Sequence, residues 1–289
     1  MLRPRCLHLV ALLALLVGLG CGPRGVSNSD SDPAPASDLV AAQRVARQDP
    51  VAGEQALAAL LARHPDSWLT ARAHQDVLRQ SLPAAVFEGR YAAARDAAPE
   101  SGLAWYLLGR ARIERFAEAM EAFSRAAELA PENPWPVAGI AYLHWAVGDM
   151  FLCVASYEAG IERMPRSAQL RLLLGNQLLN LKLIIDAQRH LELGHRLAPG
   201  NPNMTAALGK VYIELGRYES GRALLEQALE ADPSLADVAM SLAGVYLRDR
   251  EPEAAERMYR RALEGGLSPD DELFGAIRAA KIVVRTRGD

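Results

Sequence analysis

Aromatic residues, cysteines and long apolar runs are all scarce in this chain of 289 residues. Phe, Trp and Tyr make up 6% of the sequence, there are three cysteines, and the formal net charge is -3. Without a strongly basic field, sequence-independent binding of nucleic acid is disfavoured. No HExxH or CxxC pair, Gly-rich phosphate loop or catalytic-triad order is present, so we expect no metal, no cofactor, no small-molecule substrate and no enzymatic activity.

The N-terminus has the pattern of an export signal. Arg3 and Arg5 precede the apolar run Leu7 to Val17, which is too short to span a bilayer comfortably. The following Gly18-Leu19-Gly20-Cys21 resembles the lipobox of bacterial lipoproteins, although Gly18 stands where that pattern usually has Leu. The resemblance implies cleavage after residue 20 and a lipid on Cys21. The alternative is an ordinary signal peptide with an incidental cysteine.

Residues 21–38 follow as a predicted tether. The stretch Gly22 to Ser37 is rich in Gly, Ser, Asp and Pro and offers almost nothing to bury, which favours disorder. A flexible chain of this length holds its ends roughly 20 to 25 Å apart. If Cys6 is removed with the signal and Cys21 carries lipid, Cys153 has no intramolecular partner for a disulfide.

Evenly spaced prolines divide the rest of the chain. The intervals between them are 34, 32, 34, 34 and 34 residues, and the prolines are Pro65, Pro99, Pro131, Pro165, Pro199 and Pro233. Asn203 to Pro233 is the clearest repeat, with an apolar stripe on each of two predicted helices and Gly216-Arg217 as the turn. The 32-residue interval predicts that two residues are missing from a turn near Arg115, with both helices intact.

A small-large-small pattern recurs in the second helix of each repeat. Small residues let helices approach closely, and the larger one fills the gap between them. The sets are Ala119, Phe123 and Ala126; Cys153, Tyr157 and Gly160; Ala187, Leu191 and Gly194; Gly221, Leu225 and Ala228; and Ala255, Tyr259 and Ala262. One helical pair cannot bury its stripe alone, so the pattern predicts a stack of pairs.

Period and pattern together resemble the tetratricopeptide repeat family over nearly all of residues 39–286. The resemblance implies an all-α fold, a right-handed α-solenoid of helix-turn-helix repeats, after a signal peptide at 1–20. We expect repeats at about 39–65, 66–99, 100–133, 134–167, 168–201, 202–235 and 236–269, with a C-terminal cap helix at 270–286. The lipobox with this array also resembles periplasmic tetratricopeptide lipoproteins of Gram-negative bacteria, which include secretin pilotins of type IV pili and adaptors of cell-wall hydrolases.

In that family, partners usually lie in a concave groove lined by the first helices. Counted from Pro202, the second, fifth, ninth and twelfth positions of a repeat share one helical face. We expect a protein or peptide partner there, held by exposed aromatic anchors and polar groups. The predicted groove residues are Tyr106, Arg110, Trp135, Tyr142, Trp145, Asn176 and Lys210. The alternative is that two of the aromatic residues turn into the core.

The resemblance gives a function class without a pathway. Leu172, Ala206 and Met240 stand where the peptide-terminus clamp of co-chaperones needs polar groups, so we do not expect that activity. We expect a non-catalytic scaffold or adaptor in envelope assembly, for example of a pilus or secretin. It would be exported and lipid-anchored, facing the periplasm from the outer membrane. The alternatives are an accessory subunit that regulates a cell-wall hydrolase and self-association through the terminal repeats.

Overall fold

The computed structural model describes the backbone of residues 32–288 and the side chains of residues 32–283. Fifteen α-helices and no strands occur in this part of the chain, which confirms the all-α prediction. The predicted signal, Cys21 and most of the predicted tether lie outside it. The helices are α1 Ala36–Gln48, α2 Pro50–Arg63, α3 Trp68–Ser81, α4 Ala84–Ala97, α5 Gly102–Ala111, α6 Phe116–Leu129, α7 Pro134–Ala146, α8 Met150–Arg163, α9 Ala168–Asn180, α10 Ile184–Leu197, α11 Pro202–Glu214, α12 Tyr218–Ala231, α13 Ala236–Arg248, α14 Pro252–Glu264 and α15 Asp271–Gly288.

The described chain forms two compact units, which we call the N-terminal unit (residues 32–174) and the C-terminal unit (residues 175–288). In the N-terminal unit, α1 packs on α2, α5 on α6 and α7 on α8, and successive pairs contact one another. In the C-terminal unit, α11 packs on α12 and α13 on α14 in the same way, and α15 covers α14. Each unit is therefore a stack of helical pairs, as the repeat pattern predicts.

Small residues allow close helix contacts in both units. A Cβ atom on Gly109 of α5 would lie 2.7 Å from the Phe123 ring of α6, and one on Gly175 would lie 2.4 Å from Cγ of Leu191. Phe123 and Leu191 are fully buried. Residues of the small-large-small sets thus lie in the interfaces between packed helices.

Side chains that follow the prolines cap several helices. Asn133 accepts a hydrogen bond from the Trp135 amide at 3.0 Å, and Asn201 accepts from Asn203 at 3.0 Å and from Met204 at 3.2 Å. In both cases a proline occupies the first helical position, where no amide donor is needed. Pro134 and Pro202 therefore start helices, and the evenly spaced prolines lie between helices, so neither set interrupts a helix.

Helix α5 differs from the other first helices. It has 10 residues, whereas α7, α11 and α13 have 13 each, and the turn that follows it covers residues 112–115. The prediction that the turn near Arg115 carries the deletion is therefore wrong. The turn has four residues where the corresponding turns of the later repeats have three, so the shortening falls on the last turn of α5.

Candidate functional site

Two of the predicted aromatic anchors are core residues. Tyr106 is 3% exposed and Trp135 is 6% exposed. The Tyr106 ring lies between those of Trp68 and Phe123, with centroid distances of 5.1 Å and 5.7 Å. Neither Tyr106 nor Trp135 is an exposed anchor, and their burial matches the alternative in which two of the aromatic residues turn inward.

Tyr142 and Trp145 lie on the same face of α7 and remain half-buried. Their ring centroids are 5.5 Å apart with the planes tilted by 38°. Partial burial raises the pKa of the Tyr142 hydroxyl, while the charge of Arg79 lowers it and that of Glu114 raises it. The pair offers apolar ring surface to solvent, beside charged groups from α3 and from the turn after α5.

Arg110 is fixed in place by α3. Its Nη2 donates to Oδ1 of Asp76 at 2.6 Å, and its Nη1 donates to the backbone carbonyl of Arg72 at 3.3 Å. Burial lowers the pKa of this guanidinium, but the charge and hydrogen bond of Asp76 outweigh burial, so the pKa is raised. Arg110 thus carries a permanent charge whose carboxylate partner already lies on the same surface.

Asn176 and Lys210 belong to the C-terminal unit. Asn176 is exposed on α9, and Lys210 of α11 pairs through Nζ with Oδ2 of Asp237 at 2.7 Å. The apolar residues at the clamp positions belong to the core: Leu172 and Ala206 are buried, and Met240 packs against a buried cluster.

Two further arginines line the surface that carries Tyr142, Trp145 and Arg110. Arg72 and Arg79 occupy the fifth and twelfth positions of α3, counted from Trp68, and Asp76 occupies the ninth. The guanidinium carbon of Arg72 lies 3.5 Å from the centroid of the Trp135 ring. The four-position register identifies these residues when it is also applied to the divergent repeat at 66–99. We call the set Arg72, Asp76, Arg79, Arg110, Tyr142 and Trp145 the N-terminal groove.

The described residues offer neither an activated thiol nor a group of metal ligands. Cys153 is 1% exposed, and burial raises the pKa of its thiol to about 11, so the nucleophilic thiolate is disfavoured. Among the described residues, no three His, Cys, Asp or Glu side chains group as metal ligands. In the same part of the chain, none of the helices combines the length and apolar character required to cross a bilayer.

Comparison with known proteins identifies the repeat. A family model described as tetratricopeptide repeat matches residues 88–134 and 206–272. A curated relative, the type IV pilus assembly protein PilF of Pseudomonas aeruginosa, is 43% identical over 56 residues. That match covers 19% of this chain and 22% of the relative, so the chain spans about a fifth of the relative's length.

Solved structures share the fold. The structure of Pseudomonas aeruginosa PilF matches with a TM-score of 0.55 and 20% identity over 68% of this chain and 87% of that chain. Yeast Tom70 matches with a TM-score of 0.69 and 14% identity over 97% of this chain and 59% of that chain. At these identities the likeness concerns the helical-repeat fold alone.

Proposed function

We propose, from the premise that this chain is a tetratricopeptide repeat protein, that it is a scaffold which binds a protein partner during bacterial envelope assembly. Such repeats generally serve as non-catalytic scaffolds for protein interactions. The observation that carries the envelope role is the 43% identity to a pilus assembly protein. Assembly of a pilus or its secretin is the process that we propose.

The proposed docking surface is the N-terminal groove. Tyr142 and Trp145 are half-buried aromatic residues, and aromatic side chains of this kind often anchor protein interfaces. Arg110 and the other charged side chains beside them can fix the direction of a bound segment. In the C-terminal unit, the exposed Asn176 and the Lys210–Asp237 pair are the proposed contact points.

In-cell photocrosslinking tests the function. A photoreactive phenylalanine analogue is placed at Tyr142 or Trp145 of the full chain, and the crosslinked protein is identified in the native host. The control position is Phe151, an aromatic residue that is 80% exposed and lies at the start of α8, outside the groove.

Crosslinking to a pilus or secretin component from positions 142 and 145, and not from 151, supports the proposal. Crosslinking to a cell-wall hydrolase would replace it with the accessory-subunit function. Products that form equally from position 151, a second copy of this chain as the sole product, or no product would overturn it.

We propose further that Cys21 carries a lipid and anchors the chain in a membrane that faces the periplasm. The support is the lipobox resemblance of residues 18–21. In Cys21→Ser the protein should move from the membrane fraction to the soluble fraction. An unchanged distribution would exclude lipidation at this residue.

A further inference from the structure

The N-terminal groove contains more guanidinium groups than its own carboxylates bind in ion pairs. Arg72 and Arg79 come from α3 and Arg110 comes from α5. Of these three guanidinium groups, Arg110 alone forms an ion pair within the described residues, and its partner is Asp76 at 2.6 Å. Asp76 and Glu114 both act electrostatically on Arg79, but neither forms an ion pair with it among those residues. The groove therefore has two guanidinium groups without a bound anion.

Arg72 is held in position but donates no hydrogen bond in the described structure. Its guanidinium stacks on the Trp135 ring at 3.5 Å, and its Nε is sealed from solvent without an acceptor. Burial lowers the pKa of this group, and the nearby charge of Arg110 lowers it further, against opposing effects of Tyr106 and Asp76. Stacking uses the face of the planar group and leaves its two terminal nitrogens for an acceptor.

Arg79 lies one helical turn from Asp76 on the same face of α3. Its Nη2 donates to the carbonyl oxygen of Arg110 at 2.8 Å, and the guanidinium carbon is 5.2 Å from the centroid of the Phe87 ring. The residue is exposed as a whole, yet desolvation of the guanidinium lowers its pKa and the charge of Arg110 adds to this effect. One backbone carbonyl satisfies one of its donors and neutralises none of its charge.

Three basic side chains of the C-terminal unit are paired with carboxylates. Lys182 pairs with Glu214 at 3.1 Å, and Lys210 pairs with Asp237 at 2.7 Å. Arg222 contacts three carboxylates, those of Glu226, Asp249 and Glu251. These three basic residues thus have carboxylate partners built into the fold, whereas Arg72 and Arg79 have no ion pair among the described residues.

We infer that Arg72 and Arg79 receive a carboxylate from an acidic segment of the protein partner, with an apolar side chain of that segment against Tyr142 and Trp145. The inference rests on the proposed function, because it names the chemistry of the partner in the same groove. Guanidinium groups bind carboxylates through paired, charge-assisted hydrogen bonds, which are stronger where water is partly excluded. The buried Trp135 ring beneath Arg72 provides such surroundings.

Short fluorescent peptides test the inference against the full chain by anisotropy. One set has a central pair of glutamates among leucine, phenylalanine and serine positions and an amidated C-terminus. A second set carries glutamine in place of glutamate, and a third has glutamine with a free terminal carboxylate. We expect the glutamate set to bind most tightly, and the third set distinguishes a terminal carboxylate from a side-chain carboxylate as the source.

Variants of the chain locate the binding. Arg79→Gln and Arg72→Gln should each weaken binding of the glutamate set by about tenfold or more, as expected for a charge-assisted hydrogen bond. The matched control is Arg125→Gln, which removes the same charge from an exposed arginine on α6 that pairs with Glu128. It should leave binding nearly unchanged. Since Arg72 packs on Trp135, circular dichroism must show that Arg72→Gln stays folded, and the exposed Arg79 gives an independent measurement.

Several results would overturn the inference. They are equal binding of the glutamate and glutamine sets, no binding of any glutamate peptide, and an equal loss in Arg125→Gln and Arg79→Gln. Failure of the inference is distinguishable from failure of the proposed function. If crosslinking from Tyr142 still captures the envelope component in an Arg72→Gln/Arg79→Gln chain, the scaffold function stands and the carboxylate site does not.

Discussion

Single atoms decide the packing between helices in this molecule. Gly109 has no room for a side chain, because an added Cβ would meet the Phe123 ring at 2.7 Å. Gly109→Ala should therefore lower the free energy of unfolding by about 1–3 kcal/mol, the usual cost of overpacking a filled core. Urea denaturation followed by circular dichroism measures this change.

The matched control for Gly109 lies in the same unit. Gly89 is an exposed residue within α4, and an added Cβ would have no neighbour within 4 Å. Gly89→Ala should raise the free energy of unfolding by up to about 1 kcal/mol, since alanine favours a helix more than glycine does. A comparable loss in both variants would show that close packing against Phe123 is not what restricts residue 109.

Cys153 predicts a dependence of stability on alkaline pH. Burial raises its pKa from the ordinary 9.0 to about 11. Between these values the unfolded chain loses the thiol proton while the folded chain keeps it, so the unfolding free energy falls as pH rises through this window. The loss from this group is about 1–3 kcal/mol. Chemical denaturation at pH 9 and pH 11 should show a smaller decrease for Cys153→Ala, and an identical decrease would contradict the assignment.

The burial of individual aromatic residues was harder to predict than their helical face. The register gave the helical face of Tyr106 and Trp135, whose ring centroids lie 6.0 Å from the guanidinium carbon of Arg110 and 3.5 Å from that of Arg72, but it could not give their exposure. Their cover comes from the repeat at 66–99, which is one repeat away from Tyr106 and two away from Trp135: Trp68 lies against Tyr106, and Arg72 lies over Trp135. The 34-residue period gives the positions of residues within one repeat, but it does not predict the contacts that side chains of other repeats make with them.

At the scale of helices, the short α5 shows how a deletion is absorbed. The proline spacing showed which repeat is shortened. Whether the turn or the helix lost residues depended on the contacts that each segment makes. The turn at 112–115 is held by ion pairs: Arg112 contacts Glu88 at 3.0 Å and Glu118 at 3.2 Å, and Arg115 also contacts both carboxylates.

Glu88 should stabilise this turn in a way that depends on pH and salt. Its hydrogen bond from Arg115 lowers its pKa, so its contribution is present above the ordinary carboxyl pKa and is lost as pH falls through the lower value. Glu88→Gln should reduce thermal stability slightly at neutral pH, by less than Gly109→Ala, because exposed pairs are screened. The difference from the parent chain should shrink in high salt and at acidic pH.

Differential scanning calorimetry measures the Glu88 effect, with Glu121→Gln as the control. Glu121 is an exposed carboxylate on α6 without an ion pair among the described residues. A loss that persists unchanged at high salt would mean that Glu88 acts through packing and not through charge.

Helix starts were predictable where the cap follows a proline at fixed spacing. Ser101, Asn133, Ser167, Asn201 and Asp270 cap helices as the sequence indicates. Ser67, two residues after Pro65, caps α3, whereas the backbone amide of Ser234 donates to Asp232 and α13 has no side-chain cap. In the first case, Ser67 is fixed by a hydrogen bond from its hydroxyl to Asp32 at 2.6 Å, a residue far away in sequence. Local spacing cannot report such a contact.

For the molecule as a whole, stability should vary along the chain. In a repeat array, each helical pair is stabilised mainly by its neighbours, so a terminal helix has support on one side only. We expect α1 and α15 to exchange amide hydrogens faster than α5 to α8 in the full chain. Hydrogen exchange with mass spectrometry measures this, and exchange of α6 as fast as that of α15 would contradict neighbour-dependent stability.

Two of the turns between paired helices contain a non-glycine residue with positive φ, which is a strained backbone conformation. Gly148 and Gly216 adopt positive φ, and at the corresponding places Lys182 and Arg250 do so with φ of 61° and 63°. Side chains make that conformation costly, by roughly 1–2 kcal/mol. Lys182 gains an ion pair with Glu214 in exchange, whereas Arg250 has none among the described residues. For protein engineering, position 250 is thus a place where glycine would relieve a strained backbone without removing a described ion pair.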